Sequence, residues 1–135
     1  MQKLRINGIA GRFILSSAWA LLILVACLIP ANKVHRSFLA DIKHIDKYFH
    51  FIMYLAFSVI LYIDLNKYRR LIKNRYLAFL YIFAISLFWG IIIEIIQYFF
   101  VSGRKGSILD VLANAGGIIA GLILVLTTVK YLQKQ

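Results

Sequence analysis

This chain is short of charge, and above all of acid. Of its 135 residues only 16% are charged, about two-thirds of the share usual in soluble domains. Five Asp and Glu stand against sixteen Lys and Arg. The single cysteine, Cys27, excludes an internal disulfide and a Cys-rich metal site. No repeat, linker or composition break marks a second domain, so residues 1–135 read as one. No glycine-rich phosphate-binding loop and no acyl-CoA site can be traced in it either.

What fills the chain instead is apolar. Hydrophobic residues make up 62% and aromatics 15%, with a mean hydropathy of +0.82. A domain this small cannot hide that much apolar surface in its own core, so lipid is the better solvent. The net charge of +11 raises the question of nucleic acid. The basic residues answer it, because they flank long apolar runs instead of forming one stripe. No nucleic-acid partner is expected.

Four apolar runs approach the ~20 residues of a spanning helix: 13–30, 48–65, 76–100 and 108–129. Helices satisfy their backbone groups internally, so the expected fold is all-α with four transmembrane helices. Lys3, Arg5 and Arg12, the five-fold basic connection NKYRRLIKNR (66–75), and Lys130 and Lys134 give ten cations on one side. Lys33, Arg36, Lys43, Lys47, Arg104 and Lys105 give six on the other. The positive-inside rule then predicts both termini in the cytoplasm of a multi-pass bacterial plasma-membrane protein. LVAC, residues 24–27, is similar to a lipidation box. The apolar run continues through Leu28 and Ile29, however, which favours a plain first helix. Residues 31–47 read as an external loop with an interfacial turn around Phe38–Ile45, and VSGRKGS (101–107) as a tight turn built on Gly103 and Gly106.

On this topology the unusual polar residues share the outer end. Asp46, Lys47 and His50 begin the second helix, Glu94 and Gln97 close the third, Arg104 sits in the turn, and Asp110 and Asn114 begin the fourth. The cytoplasmic half is expected to be nearly free of such groups. Asp46 and His50 are four apart, Glu94 and Gln97 three, and Asp110 and Asn114 four, so each pair shares one helix face. A charged group in a spanning helix costs roughly 3 kcal/mol on insertion scales and should find partners in the bundle.

His50 reads as a general base, a ligand, or a packed donor oriented by Asp46. Glu94 reads as an acid–base group or an interhelical clamp. Asp110 reads as a helix cap, a water-orienting group, or one ligand of a divalent ion. His50, Glu94, Asp110 and Asp46 are thus the candidate catalytic residues; Lys47, Gln97, Arg104 and Asn114 are the candidates for holding a substrate. The spacing carries no metal signature, so no metal ligand set is assigned, and a divalent metal stays an open cofactor. On the fourth helix, Ala113, Gly117 and Gly121, with Gly116 and Ala120 beside them, form a small-residue ridge. It is expected to pack against the Glu94 helix, near Gly90.

DKYFHFIMY (46–54), EIIQ (94–97), Arg104 and DVLANAGG (110–117) together resemble the blocks of the VanZ-like membrane proteins. The likeness runs from Asp46 to Gly121, and its specificity lies in the order and spacing of the blocks. The founding member of that family is linked to resistance to teicoplanin, a glycopeptide that acts on the cell wall. The resemblance therefore implies an envelope role without specifying a reaction. Three functions follow from the residues: an enzyme acting on a lipid or lipid-linked envelope intermediate with an anionic head; a non-catalytic modulator that binds such a head or alters the response to a glycopeptide; and a small proton-coupled transporter. The partners are membrane lipids in each case.

Overall fold

The computed structural model describes residues 13–29, 44–66, 74–101 and 107–133. They form four helices: α1 (Ile14–Leu28), α2 (Ile45–Asn66), α3 (Arg75–Phe100) and α4 (Ile108–Leu132). The N-terminal cations up to Arg12, the Phe38–Lys43 part of the interfacial turn, most of the basic 66–75 connection, and Gly103, Arg104, Lys105 and Gly106 lie outside the described residues.

Three helices, α2, α3 and α4, are long and apolar enough to cross a membrane. At ~1.5 Å per residue they run about 33 to 39 Å. The first helix departs from expectation. It has 15 residues where the apolar run has eighteen, and its ~22 Å falls short of a ~30 Å hydrocarbon core. It stops at Ile29, which is extended (φ −66°, ψ 121°), because the residue before Pro30 is pushed out of the helical region. Conversely, α2 starts three residues earlier than its apolar run. His44, in the left-handed region at φ 65°, turns the chain, and its carbonyl accepts from Lys47 N at 3.0 Å. Asp46 then sits in the first turn, where a negative charge meets the positive end of the helix. Asn74 caps α3 and Ser107 caps α4, each accepting a backbone N–H two residues on.

Ile23, Tyr54, Phe57, Ile82, Ile93 and Ile118 form the core between the helices. Apolar side chains also face outward on every helix, among them Val25, Ile52, Phe88, Ile95, Leu112 and Ile123. Helices apolar on both faces are buried in hydrocarbon rather than water.

The tightest contact joins α4 to α2. A methyl group added at Gly117 would strike the Phe51 carbonyl oxygen, and one at Gly121 would strike Ser58 Oγ and the Leu55 carbonyl. The small-residue ridge therefore packs on α2, not on the Glu94 helix as its sequence position implied. Only the Gly90 part of that expectation holds: a Cβ there would come within 2.9 Å of Asn114 Nδ2 and 3.3 Å of Tyr54 Oη.

The second correction concerns the other end of the bundle, which is not free of polar groups. Asp64 is fully buried near the end of α2 and accepts from Ser16 N at 3.0 Å and Ser16 Oγ at 2.9 Å. Ser16 is the third residue of α1, so its N–H has no intrahelical partner and the carboxylate supplies one. Ser58 and Ser86 are buried between the two ends.

Gly117→Ala should lower stability by about 1–3 kcal/mol, because its new methyl meets backbone that cannot rotate away. Gly116→Ala should be neutral within about 0.5 kcal/mol, since its nearest neighbour is the Phe51 ring at an ordinary 3.5 Å. Unfolding in mixed SDS micelles compares the two directly.

Candidate functional site

The antiparallel course of α2, α3 and α4 brings the start of α2, the end of α3 and the start of α4 to one end of the bundle. Helix rise then sorts the polar residues by depth. Asp46, Lys47 and Asp110 lie within ~3 Å of their helix starts and make a rim. His50, Glu94 and Asn114 lie ~7.5 to 9 Å in from the corresponding helix ends and make a floor. Each of the three floor residues comes from a different helix, and all three are buried.

His50 is the centre of the floor. Its Nδ1 is 3.0 Å from Asn114 Oδ1 and 3.7 Å from Glu94 Oε1. Both neighbours are acceptors, so the proton belongs on Nδ1 and the free lone pair on Nε2. Glu94 is anchored through its other oxygen, which accepts from Ser107 N at 3.0 Å. That bond ties the end of α3 to the cap of α4. Glu94 Oε1 reaches His50 at ion-pair distance but has no hydrogen-bond partner. Asn114 Nδ2 and Tyr54 Oη are likewise buried without a partner.

At the rim, Lys47 Nζ pairs with Asp110 Oδ1 at 3.2 Å, the lysine about a third exposed and the aspartate buried. Asp110 is not the cap of α4; Ser107 takes that place and leaves the carboxylate for Lys47. Asp46, His50 and Asp110 each offer one ligand atom, and these atoms lie within 4.8 Å of one another. Gln97 is drawn elsewhere: its Nε2 donates to the Cys27 carbonyl at 2.9 Å and fastens the end of α1 to α3. Of the eight candidate site residues, six thus gather at this end around His50, Gln97 faces α1, and Arg104 lies outside the described residues.

An apolar groove of about 230 Å³ lies apart from these residues, lined by Phe13, Leu61, Leu65, Tyr81, Ile82 and Ile85. It offers no polar group and has the character of a lipid-facing crevice.

The VanZ/LLP1 family model matches residues 9–130. The chain belongs to the VanZ/LLP1 family. No curated protein and no solved structure gives a match. The matched segment runs from before α1 nearly to the end of α4.

Two residues join this VanZ/LLP1 site beyond those expected from sequence. Tyr54 follows His50 by four residues on the same face as Asp46 and is fully buried beside Gly90 and Asn114. Its spacing was a usable signal. Ser107 acts through its backbone N–H, which no side-chain pattern announces.

In a double-mutant cycle, Lys47→Met and Asp110→Asn should couple by about 0.5–3 kcal/mol, as residues in one ion pair do. Additive effects would mean that the pair does not form in the bilayer.

Proposed function

We propose that this VanZ/LLP1 protein spans the bacterial plasma membrane with both termini in the cytoplasm, and turns over the anionic head of a lipid or lipid-linked envelope intermediate at its outer face. The orientation rests on ten basic residues against six. In it α1, though short, serves as the fourth span. The rim and floor then sit just inside the outer head-group layer, within reach of a lipid head.

One observation carries the catalytic reading: the polar floor is incompletely satisfied. A clamp between helices would consume its hydrogen-bonding groups, as Asp64 and Ser16 do at the other end. Around His50, three buried polar atoms on three helices lack partners: Glu94 Oε1, Asn114 Nδ2 and Tyr54 Oη. Buried polar groups are seldom left unpaired in native proteins, and a bound water, an ion or a catalytic role is what usually accounts for one. His50 with Nε2 open is a general base, Glu94 opposes the imidazolium charge that proton uptake creates, and Asn114 and Tyr54 offer donors to the incoming head. Lys47 supplies positive charge at the entrance.

A transport reading draws on a different observation. Tyr54, Ser58, Ser86 and Asp64 continue buried polarity from the floor toward the opposite end of the bundle. A modulator that only binds the head needs the same pocket and no turnover.

Protein in nanodiscs, supplied with labelled phosphatidylglycerol and a labelled polyprenyl diphosphate, separates the three. The enzyme reading predicts turnover of one of them that falls ~10²-fold or more in His50→Ala and Glu94→Gln, with head-group binding retained. Saturable binding without turnover would establish the modulator instead, and proton-driven uptake in liposomes the transporter. For topology, a membrane-impermeant maleimide on a Cys27→Ser background should label a cysteine placed at His44 in intact cells, and one placed at Gln133 only after permeabilisation. The reverse pattern would invert the site to the cytoplasmic face.

A further inference from the structure

This chain has only five acidic residues, yet Asp46, Glu94 and Asp110 stand together with His50 at one end of the bundle. Lys47 pairs with Asp110 at 3.2 Å. Carboxylates gathered around an imidazole are donors that divalent metals take.

We infer that Asp46, His50 and Asp110 hold a divalent cation. Their ligand atoms already lie within 4.8 Å of one another, on two helices that pack backbone to backbone through Gly117 and Gly121. Atoms bound to a zinc-sized ion at ~2.0–2.2 Å stand roughly 3–4 Å apart, so small side-chain rotations close the set. Asp110 has a second carboxylate oxygen beside the one that Lys47 takes.

The surroundings meet what a metal site needs beyond its ligands. His50 Nδ1 is held by Asn114 Oδ1 at 3.0 Å, the outer-shell contact that fixes the imidazole and directs the Nε2 lone pair outward. Glu94, only 6% exposed, keeps Oε1 unpartnered at 3.7 Å from that same imidazole. It supplies negative charge on the Nδ1 side of the imidazole. With a metal bound, Nε2 is a ligand, and a metal-bound water takes the place of the free imidazole base proposed above. One nitrogen and two carboxylates suit Zn²⁺, Mn²⁺ or Fe²⁺ better than Mg²⁺ or Ca²⁺. Three protein ligands leave positions open to a phosphate oxygen or a water, the pattern of catalytic rather than structural sites. The metal's role toward a head group rests on the reading proposed above; its binding does not.

Purified full chain in detergent, stripped with EDTA, is titrated with Mn²⁺ and followed by electron paramagnetic resonance. One Mn²⁺ per chain should bind, with ¹⁴N modulation from a single imidazole, and Zn²⁺ should displace it. Asp46→Asn and Asp110→Asn should each weaken binding at least 10-fold. His50→Gln should abolish the ¹⁴N signal, whereas His44→Ala should keep it. Circular dichroism and a single chromatographic peak check the fold of each variant; if a variant fails them, the ¹⁴N signal of the unaltered chain alone decides. No saturable site, a site without ¹⁴N modulation, or modulation that survives in folded His50→Gln would overturn the inference. Head-group binding to phosphatidylglycerol nanodiscs is measured separately, with Mn²⁺ and with EDTA. A metal site without head-group recognition defeats the lipid reading only, and recognition undiminished by EDTA in a chain with no metal site defeats the metal only.

Discussion

The contact between His50 and Asn114 is the interaction on which the rest of this site depends. It joins α2 to α4 at 3.0 Å, where Gly117 and Gly121 let the two backbones approach. With the glycines on one side of the contact and the imidazole on the other, the vertical register of the two helices is fixed. Asp46 and Asp110 then meet at the rim because each sits four residues before its partner in that contact. The third helix is added through Glu94, whose two oxygens divide between the Ser107 N–H and the His50 imidazole. In hydrocarbon there is no water to satisfy these groups, so the partners that His50, Asn114 and Glu94 do find come from other elements of the bundle.

The two ends of the bundle solve that requirement differently. At one end Asp64 closes on the start of α1 with two hydrogen bonds, and Ser16 is left with nothing unsatisfied there. Trp19 adds a bond from its indole N–H to the Met53 carbonyl, which secures α1 against α2 further in. At the other end Glu94 Oε1, Asn114 Nδ2 and Tyr54 Oη stay open. Ser86 Oγ and Trp89 Nε1 are open as well, midway along α3, so what sets the floor apart is that its three open atoms come from three helices around one imidazole.

Much of this could be read in the sequence, and the limits were physical. The apolar runs gave three helices within a few residues of their final bounds, and the four-residue spacings put Asp46 with His50 and Asp110 with Asn114. Which helix faces which is another matter. These helices are apolar on both faces, so periodicity sets no unique rotation, and the glycine ridge was matched to α3 when it packs on α2. Gln97 shared a face with Glu94 in the sequence yet reaches the Cys27 carbonyl, because a one-turn offset on a helix flanked by two neighbours is enough to change partner. Asp64 stands inside an apolar run, and an acid there implies a buried partner by the same physics as Glu94. The Ser107 N–H and the cap it forms depend on backbone conformation and left no side-chain trace.

The central claim is that one imidazole organises three helices in the membrane. Magic-angle-spinning NMR on protein in bilayers, with ¹⁵N-labelled histidine and ¹³C-labelled asparagine and glutamate, tests it most directly. The account predicts one histidine side chain, assigned to His50 by its loss in His50→Gln. Its protonated Nδ1 should couple strongly to the Asn114 carboxamide carbon and more weakly to the Glu94 carboxyl carbon. A His50 ring with no through-space coupling to either residue would contradict it.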